Sequence, residues 1–178
     1  MTVLTEARTA LPTGTWTLDP VHSTIGFELP YLAGTFRGHF TDVDAKLTAE
    51  SLSGSARVAS VDVKDENLAA HLQSPEFFDA ERHPELSFAS KSIRRSDDTL
   101  TVDGELTIRG TTKPVELVGT IADPMTDAFG NERANVQLET TVDRTEFGLD
   151  WNMPLPNGQP ALQNEVKLVA ELYFVRGA

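Results

Sequence analysis

An antiparallel β-barrel of about eight strands, interrupted once by a short helix, is the fold that this sequence predicts. Three observations carry it. After residue 14, apolar and polar residues alternate in short runs along most of the chain, which is the period of half-buried strands. Clusters of Gly, Pro, Asn and Asp fall between the runs, where turns need them. One stretch, residues 67–80, drops the alternation and takes a helical spacing instead. A sheet this large left open would expose long edges, and closure removes them.

Residues 1–13 are polar and without period, and read as a flexible arm before a single domain at 14–178. Trp16 and Leu18 then share one face, followed by Ile25, Phe27 and Leu29, and by Val43, Ala45 and Leu47. Ala56 and Val58 lead into Val61 and Val63, where the phase slips and predicts a bulge. In the helical stretch Asn67 is expected to cap the helix, with Leu68, His71 and Leu72 on one face. Ser74-Pro75 ends it, and Phe77 and Phe78 follow, packed on the barrel or across its mouth.

Alternation resumes at Leu86 and Phe88 and is clearest at Leu100, Val102, Leu106 and Ile108. Val115, Leu117 and Ile121 continue it, then Val136, Leu138 and Val142, and finally Val166, Leu168, Ala170, Leu172 and Phe174. Turn signals stand at Ser53-Gly54, Asp97-Asp98 and Thr112 to Pro114, and longer loops at Phe129 to Asn131 and Pro156 to Gly158.

Composition narrows the function. The formal net charge is −12 and the pI about 4.6, which argues against a nucleic-acid binder and against polybasic membrane contact. With no cysteine there is no disulfide, thiolate metal site or cysteine nucleophile. Glu6 and Arg8 break the apolar run that a signal peptide needs, so the protein is expected in the cytoplasm. No window approaches the ~20 apolar residues of a membrane helix, so no stable membrane insertion is expected.

Catalytic patterns are missing. His22, His39, His71 and His83 lack the spacing of helical metal sites. Asp19 near His22 reads as a turn with a hydrogen-bonded pair, and Asp42 with Asp44 as a solvated strand face. There is neither a Gly-x-Ser-x-Gly elbow nor a phosphate loop. No catalytic residue, metal or cofactor is therefore expected. The aromatics Phe36 and Phe40, Phe77 and Phe78, and Phe147 and Trp151 are grouped, as core residues or as lids of an apolar pocket. An eight-stranded barrel is wide enough to hold one small ligand.

Four segments carry a family resemblance. Thr15 to Leu29, with Asp19, His22 and Ser23 as Asp-x-x-His-Ser, resembles the start of YceI-like proteins. His71 to Phe88 resembles their His-Leu-x-Ser-x-x-Phe-Phe-Asp stretch, and Gly104 to Leu117 their Gly-x-Leu-Thr-Ile-x-Gly-x-Thr-Lys-Pro hairpin. Asp143 to Trp151 resembles their Arg-x-x-Phe-Gly-x-x-Trp element. The resemblance implies a lipocalin-like barrel, a homodimer, and a bound isoprenoid lipid such as a polyprenyl chain or isoprenoid quinone.

The residues expected to line the ligand's chamber are Ile25, Phe27, Leu29, Phe36 and Phe40 from the early strands. The helical insertion adds Leu72, Phe77 and Phe78, and later strands add Phe88, Leu106, Ile108, Leu117 and Leu138. Phe147 and Trp151 come from the late loop. Leu68 and Ala69 stand where the family usually has Arg-Asp, and Pro30-Tyr31 where a basic or His residue is common after the second strand, which leaves the head-group contacts open. Burying one isoprene unit yields roughly 4 kcal/mol gross, so several units bind without a strong polar anchor. Two other readings stand beside the carrier. One is an enzyme on a lipophilic substrate, with His71 and Asp19 or Asp79 as acid–base groups. The other is a stress or interaction protein with a solid core.

Overall fold

The structure is a computed structural model and describes residues 8–177. Its strands are β1 (Trp16–Leu18), β2 (Thr24–Tyr31), β3 (Gly34–Phe40), β4 (Val43–Leu47), β5 (Leu52–Arg57) and β6 (Val61–Asp62). Helix α1 (Glu66–Gln73) follows, and then β7 (Glu85–Ser96), β8 (Thr99–Ile108), β9 (Thr111–Thr126), β10 (Glu132–Asp143) and β11 (Glu165–Arg176).

These pieces make an eight-stranded antiparallel barrel, because three of its staves are each broken in two. β1 and β2 lie end to end along one edge of β11, β1 on residues 174–176 and β2 on residues 167–171. In the next stave β4 pairs with β1 and β3 with β2, and in the third β5 pairs with β4 and β6 with β3. Backbone bonds tie the second and third breaks together: Thr41 N–H donates to Ser60 O at 3.2 Å and Arg57 N–H to Asp42 O at 2.9 Å. β7 to β11 then follow as neighbouring hairpins, and the β1–β11 pairing closes the ring.

Several local expectations are corrected. The phase slip after Val58 is a 3-10 turn, Val58–Ser60, and not a bulge. A 3-10 turn returns residue i+3 to the same face, so Val58 and Val61 are both buried. Asp65, not Asn67, caps α1; its carboxylate accepts from Leu68 N–H at 2.9 Å. Ser53-Gly54 lies inside β5, and the chain turns at Thr48 to Ser51 instead, where the Thr48 hydroxyl accepts from the N–H groups of Glu50 and Ser51. Thr112 to Pro114 lies inside β9. That hairpin turns at Arg109-Gly110, both left-handed with φ of 50° and 74°. Pro114 is tolerated because β9 is paired there on its β8 side alone.

Of the arm expected at 1–13, residues 1–7 lie outside the described residues. Residues 8–13 are tied down rather than loose. Leu11 is buried among apolar side chains at one end of the barrel, Arg95 donates to Ala10 O at 3.0 Å, and Arg8 N–H donates to Asp97 at 3.0 Å.

The interior divides into two apolar clusters stacked along the axis. Trp16, Leu47, Leu100, Val102, Val136 and Phe174 fill the end beneath Leu11. Phe27, Phe40, Phe78, Leu106, Ile108 and Phe147 gather at the other end. Here the barrel carries α1, the Arg109-Gly110 turn and the loop after β10.

Candidate functional site

The second end is hollow. A cavity of about 400 Å³ opens among the side chains there, within the roughly 300–1,000 Å³ range of small-molecule sites. Ala45, Leu52, Leu138 and Leu172 touch it from below. The cavity therefore stops where the solid cluster begins and does not run the length of the barrel.

All the residues expected to line such a chamber do line this one. Alternation on β2 and β3 brings Ile25, Phe27, Leu29, Phe36 and Phe40 to its wall. Phe27 and Gly38 are cross-strand partners, and a Cβ at Gly38 would stand 2.5 Å from the Phe27 ring, so only glycine lets that ring lie flat on the wall. β7 contributes Phe88, β8 contributes Leu106 and Ile108, and β9 and β10 contribute Leu117 and Leu138. The 3-10 turn Arg144–Phe147 sets Phe147 in the wall, and Trp151 follows from the loop.

The helical insertion covers this end. Leu68, His71 and Leu72 present one face of α1 to the cavity, and Phe77 and Phe78 fold beneath it. Phe78 meets Phe40 edge-on at 5.8 Å and Phe27 at 6.4 Å between ring centres. Phe77, His71 and Trp151 form a second group, with His71 edge-on to Trp151 at 4.8 Å. Such pairs add directional attraction to area burial.

Little polar chemistry reaches the cavity. The His71 ring lies on its wall with Nε2 2.5 Å from Glu76 Oε2. Arg144 is buried in the wall, and its guanidinium donates to three carbonyls: Gln163 O at 3.0 Å, Leu149 O at 2.7 Å and Trp151 O at 2.8 Å. Burial lowers its pKa from the usual arginine value, against the opposing pull of Asp143 and Asp150. Asp19, weighed as an acid–base group, is held at the solid end by His22 at 2.6 Å and Arg133 at 2.7 Å, and is not brought to His71. Among the described residues no group of three or more His, Cys, Asp or Glu is arranged to hold a metal, and no helix is long and apolar enough to cross a membrane.

Sequence reasoning missed part of the wall. Val166 and Leu168 belong to it, and their alternation already placed them inward. Leu149 and Leu162 stand in a loop without period, so nothing marked them. Arg144 was visible only as one letter of a motif.

Residues 16–174 match the protein family described as YceI-like domain. A UPF0312 protein of Pseudomonas putida strain W619 is 31% identical over 137 residues, 72% of this chain and 71% of the relative. The crystal structure of Burkholderia cenocepacia BcnA superposes with a TM-score of 0.75 at 20% identity, covering 88% of this chain and 98% of that one. A polyisoprenoid binding domain from Saccharophagus degradans, implicated in plant cell wall breakdown, superposes with a TM-score of 0.71 at 10% identity, covering 91% and 98%. At such identities the two structures speak for the fold.

Proposed function

Because this chain belongs to the YceI-like family, and because one end of its barrel is an apolar chamber, we propose that it binds a long isoprenoid lipid and stores or carries it. The observation that carries this reading is the chamber wall. Strands, helix and loop all turn apolar or aromatic side chains into one space of about 400 Å³. Filling that space with hydrocarbon removes apolar surface from water at about 25 cal/mol per Å². The description of the Saccharophagus neighbour as polyisoprenoid binding supports the choice of lipid.

The reading is of a binding protein and not an enzyme. A carrier needs a closed wall and a movable cover, and α1 with Phe77 and Phe78 has the place of a cover. A homodimer in the cytoplasm, as expected from the sequence, belongs to the same proposal. Light scattering on the purified protein tests the dimer.

The central test is gentle purification, organic extraction and mass spectrometry, repeated after incubation with polyprenyl lipids. An isoprenoid recovered in stoichiometric amount supports the reading. Protein that holds no lipid in either arm would overturn it.

A further inference from the structure

Three arginines are largely buried or half-buried at the two ends of the barrel, and two of them have carboxylate partners. Arg95 donates to Asp123 at 2.8 Å. Arg133 donates to Asp19 at 2.7 Å and to Asp127 at 2.6 Å. Arg144 has none: among the described residues no carboxylate lies within 4.0 Å of it. Asp143 and Asp150 act on it only through longer-range attraction.

The hydrogen bonds of Arg144 are also incomplete. Nε and Nη1 reach the carbonyls of Gln163, Leu149 and Trp151, and so hold the loop after β10 against the barrel. Nη2 is buried without any acceptor, and no other buried side-chain nitrogen or oxygen among the described residues is left so. Holding the loop explains Nε and Nη1. It leaves the two N–H donors on Nη2 unexplained, and an unsatisfied charged donor in apolar surroundings is costly. Arg144 is also part of the cavity wall, beside Phe147, Leu149 and Trp151.

Nη2 itself has no open surface in this structure and lies behind the cavity wall. We propose that Arg144 is the head-group anchor of the cavity, its Nη2 uncovered by a small shift of neighbouring wall side chains as ligand enters, and that the natural ligand is a long apolar chain ending in an anionic oxygen group, a phosphate or a carboxylate. Such a group supplies both the missing acceptor and the missing counter-charge. Guanidinium suits either head, because its planar donors match oxygens in pairs. A neutral alcohol supplies the acceptor without the charge and binds more weakly. The inference rests on the reading of the cavity as a lipid site and narrows it to acidic lipids.

The test uses the whole protein and three ligands with one chain: geranylgeranyl phosphate, geranylgeranoic acid and geranylgeraniol. Each competes against Nile red. The two acidic lipids are expected to bind at least about tenfold tighter than the alcohol, the ratio a hydrogen bond to a charged group gives. Comparing them with each other decides between phosphate and carboxylate. In Arg144→Gln the preference should collapse to about one, with the alcohol still bound.

Arg144→Gln also loosens the loop, so a second readout is taken on the unaltered protein. The Arg144 side-chain nitrogen resonances should shift with either acidic lipid and not with the alcohol. Equal binding of all three ligands, with those resonances unmoved, would overturn the anchor while leaving the lipid chamber intact. Failure of all three to displace the probe would overturn the chamber itself, and the anchor with it.

Discussion

The two ends of this barrel are built from the same strands and have opposite interiors. On β8, Leu100 and Val102 point inward at the solid end and are 1% and 0% exposed, pressed against Trp16, Val136 and Phe174. Six residues on, Leu106 and Ile108 point inward with the same alternation, and each keeps 7% of its surface because it faces the cavity. The charges divide in the same way. Arg95 and Arg133 at the solid end are paired with carboxylates, and Arg144 at the hollow end is not. Cohesion is concentrated in one half, which lets the other half keep a space that close packing would otherwise fill.

Cutting the solid end should have the largest effect. Phe174 is fully buried there, and Phe174→Ala is expected to cost about 3–5 kcal/mol in urea unfolding. A loss no larger than that of Leu106→Ala would erase the contrast between the ends.

Adding bulk separates the ends on a single strand. Val102→Trp has no room and should destabilise by about 1–3 kcal/mol or more. Leu106→Trp places its indole in the cavity, so melting of the lipid-free protein should change little while lipid capacity falls. Equal destabilisation by both would mean that the hollow end is packed solid in solution.

The cover should respond more gently. Phe77→Leu keeps an apolar side chain beside Trp151 and His71, so stability should drop by about 1.5 kcal/mol or less. Stopped-flow release of a bound lipid should become faster by severalfold. An unchanged release rate would show that lipid leaves by another path.

The smallest effect is electrostatic and belongs to the solid end. Arg133, with help from the N–H groups of Asn131 and Phe129, holds the Asp127 carboxyl down to about 2. Between the ordinary value of 3.8 and about 2 the unfolded chain binds more protons here than the folded one. The stabilisation from this group is therefore complete above that window and is lost as pH falls through it. Asp127→Asn should flatten the dependence of the melting temperature on pH across the window. An unchanged slope would show that Arg133 does not hold this carboxylate in solution.

Much of the site was legible because it is periodic. Period two told which side chains of β2, β8, β9 and β10 point inward, and those of them named as chamber lining, Ile25, Phe27, Leu29, Leu106, Ile108, Leu117 and Leu138, touch the cavity. The helical spacing of Leu68, His71 and Leu72 likewise told which face of α1 looks into it. Features set by side-chain chemistry within a turn were harder to see. Asp65 took the cap in place of Asn67, and Thr48 closed a turn that Ser53-Gly54 had suggested. Both are polar residues that compete with near neighbours of similar propensity.

By itself, then, the sequence determined the fold class, the inward faces and the helical interruption, because each depends on spacing along the chain. The tertiary structure alone decided that Leu100 meets side chains from across the barrel while Leu106 meets space. It alone decided that Leu11 closes one end and that Arg144 lies in the wall of the other with a donor to spare. These depend on the distance across a closed ring, and that distance is set by strand register and by the bends in three staves. An alternating pattern says which side of the sheet a residue is on, and carries no measure of what stands opposite.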